Sequence, residues 1–190
     1  MKTIYYHLLI DASKSMSPYW NDLNKHLIAH LKKTRQLKAK YAIEFKFSSS
    51  AFNTENYFSN AQNVKHFKNL NPQGLTALYD AIMINIHLVK KSIGVEIPIV
   101  VFVVLTDGHE NASKLYCANQ VRQTIVKLQQ QGNWEFIFFG AGLDIKEINK
   151  VLEIPNFKYH NFDKSELRLA FLELDQIILQ TLKAMVDKTI

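Results

Sequence analysis

The feature that most limits what this chain can fold into is the apolar run from Ile97 to Leu105, closed by Thr106-Asp107-Gly108. It is far too short to cross a bilayer, which takes about 20 residues of helix. It also lacks the apolar–polar alternation of a strand with one wet face. A continuous run of this kind belongs at the centre of a parallel sheet, covered by helices on both faces.

The rest of the chain supplies those helices and further strands. Ile4 to Ile10 reads as a strand ending at Asp11. Ser17-Pro18 then signals a helix start, with serine as N-cap and proline at the first helical position. Tyr19, Leu23, Leu27 and Leu31 follow at helical spacing. Tyr41, Ile43, Phe45 and Phe47 alternate with Ala42, Glu44, Lys46 and Ser48, which predicts a strand nearer the sheet edge. The polar segment Asn53 to Asn63 is expected to hold a turn and a short edge strand. After the loop Asn71-Pro72-Gln73-Gly74, a helix is predicted from Leu75 or Thr76 to Ser92, with Leu78, Ile82, Ile86 and Val89 on one face. A helix over Tyr116 to Gln131, closed by Gly132, leads to a strand from Trp134 to Phe139. Gly140-Ala141-Gly142 turns into a short helix around Lys146 to Leu152. Phe157 to Tyr159 is the last predicted strand. Asp163 to Glu166 resembles a capping box for a final helix with Leu167, Phe171, Leu174 and Ile178 inward.

Strands separated by helix-length segments imply βαβ units. The expected fold is α/β: a doubly wound, mostly parallel sheet with one antiparallel edge strand and helices on both faces, in one domain over 1–190. Hydrophobic residues at 47% and charged residues at 21% suit such a soluble globular chain. No membrane span is expected. Asp11 interrupts the apolar stretch after Met1-Lys2-Thr3, and no small-residue cleavage site follows, so no secretory signal is expected. Cys117 is the only cysteine and can form no internal disulfide; together these point to the cytoplasm.

The net charge is +6, and no acid lies between Asp22 and Glu44, where Lys25, Lys32, Lys33, Arg35, Lys38 and Lys40 occur. Such a stretch can attract acidic partners or nucleic acid. It equally suits the solvated back of a helix. Aromatics are not interleaved through it and no nucleic-acid recognition motif is present, so nucleic-acid binding is not expected.

Three separated segments share one chemistry: Asp11-Ala12-Ser13-Lys14-Ser15 after the first strand, Gly74 to Asp80 entering a helix, and Thr106-Asp107-Gly108 after the most apolar strand. In open α/β sheets, ligands bind outside the carboxyl ends of the strands. Carboxylates and hydroxyls are hard oxygen donors suited to Mg²⁺, Mn²⁺ or Ca²⁺, and no Cys–His grouping of zinc-like spacing lies near them. Two carboxylates against a divalent cation leave the site roughly neutral. Neutral hydroxyl ligands keep the metal electrophilic, so that an outside carboxylate can complete its shell.

Asp11-x-Ser13-x-Ser15, Thr76 in Gly-x-Thr-x-Leu and Asp107 in Leu-Thr-Asp-Gly together resemble the metal-ion-dependent adhesion site of von Willebrand factor A domains. The order of segments agrees along nearly the whole chain. The resemblance implies that Ser13 and Ser15 are direct hydroxyl ligands, Thr76 a conformation-dependent ligand, and Asp11 and Asp107 ligands acting largely through coordinated water. It further implies a Rossmann-like fold, a bound Mg²⁺ or Mn²⁺ (with Ca²⁺ an alternative), and a partner protein that gives the metal an acidic side chain. The chain is expected to be a stand-alone module similar to those of prokaryotic stress and metal-resistance systems.

Asp80, one turn after Thr76, can support the site from behind or simply suit the helix dipole. His109, Glu110 and Asn111 are candidates for partner contact on the rim, or plain loop residues. The rival reading is a metal-dependent phosphoesterase or nuclease using Asp11 and Asp107. A dehalogenase-like phosphatase, however, wants a second aspartate where Ser13 stands, and a nuclease usually wants more acids, of which Glu110 could add one. Gly140-Ala141-Gly142 lacks the third glycine of a dinucleotide fingerprint, with Ile145 in its place, and there is neither a P-loop nor a nucleophile elbow. The sequence is therefore expected to encode a binding module and not an enzyme.

Overall fold

The computed structural model describes residues 3–41, 44–54, 57–60, 70–142, 145–155 and 157–187. Ala42 and Ile43 of the predicted alternation, and part of the Asn53 to Asn63 segment, fall outside them. The strands are β1 (Thr3–Asp11), β2 (Glu44–Phe52), β3 (Tyr57–Asn60), β4 (Ile99–Thr106), β5 (Trp134–Ala141) and β6 (Lys158–Phe162). The helices are α1 (Trp20–Tyr41), α2 (Leu78–Ile93), α3 (Ala118–Gln130), α4 (Ile145–Leu152) and α5 (Leu167–Asp187). The sheet runs β3-β2-β1-β4-β5-β6. All neighbours are parallel except β3, which pairs antiparallel with β2 through Ser49↔Asn60 to Phe52↔Tyr57.

The period of two along each strand divides the core into two layers. Tyr6, Leu8 and Ile10 of β1 and Val101, Val103 and Leu105 of β4 meet Leu23, Leu27, Phe171, Leu174 and Ile178 of α1 and α5. Tyr5, Leu9, Val100, Phe102 and Val104 face the other way, against Ile82, Ile86, Val121 and Ile125 of α2 and α3. Phe136, Phe138 and Phe139 extend both layers through β5, and full burial of each stabilises the fold by about 1.5–3 kcal/mol. Both faces of the central strands are covered, as their unbroken apolar runs require. On the α1–α5 side the core also holds a polar relay. Tyr6 Oη lies 3.0 Å from His30 Nε2, His30 Nδ1 lies 2.5 Å from Asp175 Oδ1, and Lys33 donates to Asp175 Oδ2 at 2.7 Å.

Several boundaries differ from expectation for physical reasons. Ser17-Pro18 does not cap a helix, because residues 14–19 form a 3-10 segment and α1 begins only at Trp20. Ser17 Oγ instead donates to Pro72 O across the neighbouring loop at 3.0 Å. Tyr41, the first residue of the aromatic alternation, ends α1, and the second strand continues past that alternation through Ser48, Ser49 and Ser50, all buried. Ser48 Oγ there lies 2.7 Å from Nδ1 of the buried His7. Ile97 is 86% exposed and stands outside β4. It belongs to a turn in which Gly94 takes φ +56 and the chain reverses from α2 into β4. Asp163 does cap, accepting from Ser165 N at 2.8 Å, but a 3-10 turn over residues 164–166 precedes α5.

Candidate functional site

At the carboxyl end of the sheet, the chain leaves β1 toward β2 on one side and β4 toward β5 on the other. The crevice between these two connections is where α/β sheets place ligands. The β1–β4 register, with Ile10 opposite Leu105, carries Asp11 and Asp107 to the same rim. The third segment arrives through backbone contacts: Lys14 N donates to Gly74 O at 3.2 Å and Gln73 N to Ala12 O at 3.0 Å.

All five predicted residues converge. Ser13 Oγ and Ser15 Oγ lie 3.1 Å apart, and Ser15 Oγ donates to Asp107 Oδ1 at 2.8 Å. Asp11 Oδ1 accepts from Ser13 N at 2.8 Å, and Thr76 Oγ1 makes a long contact of 3.5 Å to Asp11 Oδ2. Asp11, Ser13, Thr76 and Asp107 are buried, while Ser15 is exposed. Burial pushes the Asp11 carboxyl up to about 6, against the pull of its hydrogen bonds from Thr106 and Ser13, and the nearby negative charge of Asp107 adds to the rise. Asp11 thus sits beside a like charge and forms no ion pair among the described residues.

The donor set is two carboxylates and three hydroxyls, all hard oxygen, which fits a divalent cation. No group of three or more His, Cys, Asp or Glu suited to a metal occurs among the described residues. A soft-donor zinc site of cysteine and histidine is therefore not the chemistry on offer at this rim.

Residues that lie within or beside the motifs, without having been assigned as ligands, hold the five in place. Thr106 Oγ1 donates to Asp11 Oδ2 at 2.7 Å, bridging β4 to β1 beneath the site. Gly108 is needed for space, since a Cβ there would stand 2.8 Å from Thr76 Oγ1. Asn111 grips Thr76 twice: its Oδ1 accepts from Thr76 N at 3.0 Å and its N–H donates to Thr76 O at 3.1 Å.

The two acids expected near the rim are turned to structural use. Glu110 Oε1 accepts from the N–H groups of Ala112 and Ser113, and its Oε2 from Tyr79 N and Ser113 Oγ. Asp80 accepts from the backbone N–H groups of Lys114, Leu115 and Tyr116. Each carboxylate staples the segment after β4 to the start of α2, so neither stands open on the rim. His109 is exposed.

No family model matches the chain. No curated protein sequence matches it either. Solved structures do. Proximal thread matrix protein 1 from the mussel byssus, with a zinc-occupied MIDAS motif, aligns at TM-score 0.63 and 14% identity over 93% of this chain and 46% of its own. The VWA domain of SpRpn10 aligns at 0.58 and 13%, covering 86% of this chain and 92% of that one. The pilus adhesin SpaC from Lactobacillus rhamnosus GG, in an open conformation, aligns at 0.69 and 12%, over 96% and 30%. This chain spans a little under half the length of the byssus protein. The shared fold is that of von Willebrand factor A domains.

Proposed function

We propose that this chain is a divalent-metal-dependent protein-interaction module. Asp11, Ser13, Ser15, Thr76 and Asp107 would hold Mg²⁺ or Mn²⁺, and an Asp or Glu of a partner protein would complete the shell. The observation that carries this reading is the cluster itself: three hydroxyls and two like-charged carboxylates, one of them buried without an ion pair among the described residues. Burying two carboxylates side by side is costly unless a cation offsets them. The bound ion would supply that charge and an electrophilic coordination position. Ser13, Ser15 and Thr76 would ligate without adding charge, and Thr106 and Asn111 would orient Asp11 and Thr76.

The zinc-occupied motif of the byssus protein supports divalent binding at such a rim in general. Against a nuclease or phosphoesterase stands the fate of the spare acids, since Glu110 and Asp80 spend their oxygens on hydrogen bonds within the fold. We place the module in the reducing cytoplasm, on its single cysteine, and by resemblance in a prokaryotic stress or metal-resistance system. No helix among the described residues is long and apolar enough to cross a membrane.

Calorimetric titration with Mg²⁺ and Mn²⁺ of the wild type and of Asp11→Ala tests the site. Saturable binding is expected only in the wild type, and equal binding by both proteins would defeat the assignment. Incubation of the metal-loaded protein with generic phosphoesters and nucleic acid tests the rival: turnover abolished by Asp107→Ala would make it an enzyme.

A further inference from the structure

We propose that the partner presents its metal-seeking acid flanked by further carboxylates, which Lys14 and Lys114 receive on the rim. This rests on the metal-bridging reading above and specifies the ligand of that same site.

The charged side chains of the site segments, 11–15, 74–80 and 106–116, are Asp11, Lys14, Asp80, Asp107, His109, Glu110 and Lys114. Their signs are sorted by depth. Asp11 and Asp107 are buried, and Asp80 and Glu110 accept seven N–H or O–H hydrogen bonds between them within the fold. Lys14, His109 and Lys114 are exposed and have no side-chain partner among the described residues. Once a divalent ion offsets Asp11 and Asp107, what these three segments offer to solvent is cationic.

Position adds specificity to sign. Lys14 lies between the two serine ligands, and its N–H is tied to Gly74 O. Lys114 has its own N–H fixed by Asp80 Oδ2 at 2.8 Å, in the segment that Glu110 staples to α2. Both ammonium groups therefore start from anchored backbone on different connections around the metal position. A partner acid standing alone would use neither. A segment with acids on either side of the ligating one would meet a cation on each flank, which raises affinity and steers encounter.

The test uses the full chain loaded with Mg²⁺ or Mn²⁺ and two capped peptides, Gly-Gly-Asp-Gly-Gly and Glu-Gly-Asp-Gly-Glu, titrated by NMR. Exposed charge pairs contribute about 0.2–1 kcal/mol each, so the three-acid peptide should bind roughly two- to thirtyfold more tightly at low salt. That gap should narrow as salt is raised. In the double variant Lys14→Ala, Lys114→Ala the two peptides should bind alike. Equal affinities in the wild type, or a gap that survives in the double variant, would overturn the proposal while leaving the metal-bridging reading standing. Binding of neither peptide would overturn both. A short single-stranded oligonucleotide that outcompetes the three-acid peptide would also overturn it, since the rim cations would then serve phosphates.

Discussion

Replacing Asp11 by asparagine should make the metal-free protein more stable while abolishing its metal response. Asp11 is fully buried, and burial raises its carboxyl from the ordinary 3.8 to about 6. A folded-state value above the unfolded one means that the fold favours the protonated acid. This carboxyl therefore contributes most below pH 3.8, and that contribution is lost as pH rises through about 6. The difference corresponds to about 3 kcal/mol carried against the fold at neutral pH. Asparagine has the same shape without the charge. Its carbonyl can still accept from Ser13 N, and the Thr106 hydroxyl can turn to accept from the new amide while donating to Gly108 O, 3.2 Å away. Chemical unfolding in chelator at pH 8 should show Asp11→Asn more stable than wild type by about 1–3 kcal/mol, allowing for imperfect hydrogen bonds, with the gap closing toward pH 4. Added Mn²⁺ should stabilise the wild type alone. A metal-free variant less stable than the wild type at pH 8, or equal stabilisation of both proteins by Mn²⁺, would refute this.

Gly108→Ala would drive a methyl group to 2.8 Å from Thr76 Oγ1, while Asn111 prevents the Thr76 backbone from yielding. The hydroxyl must leave its rotamer, costing about 0.5–1.5 kcal/mol of stability, and metal affinity by calorimetry should fall about tenfold or more; unchanged affinity would remove Thr76 from the site. His7 behaves oppositely to Asp11: burial lowers its ring to about 3, so it folds neutral. Its contribution is intact above about pH 6.5 and is lost as pH falls toward 3, by up to about 1.4 kcal/mol per pH unit. Denaturant midpoints measured from pH 7 to 4 should fall less steeply in His7→Leu than in wild type, and parallel slopes would refute this.

What could be read from sequence was whatever a single strand end or helix face writes down locally. Asp11, Ser13, Ser15, Thr76 and Asp107 stand in short motifs at element ends, and the structure brings all five together. The apolar faces of α1, α2 and α5 were legible from spacing. The supporting roles of Thr106 and Asn111 were not, because they exist only across 95 and 35 residues of chain, between strands or loops that meet after folding. Glu110 read as a rim or loop acid, and Asp80 as a support of the site or a partner of the helix dipole, because sequence records a charge and not the amides around it. The buried serines of β2 hid its course, since apolar periodicity cannot register a hydroxyl placed under a helix. Ser17-Pro18 misled for a related reason: a sound local capping signal lost to the loop that carries Ser13 and Ser15, which tightens into a 3-10 segment first.

The turn at Gly94 has a practical meaning. It joins the end of α2 to the start of β4, whereas the oxygen cluster follows the end of β4, so the two lie at opposite poles of the sheet. Val95 there is fully exposed. A thiol placed by Val95→Cys, with the exposed Cys117 changed to serine, offers a handle for fixing the protein to a bead or sensor surface. Molecules anchored that way would all present the rim outward, so that a molecule in solution meets the oxygen cluster and not the support.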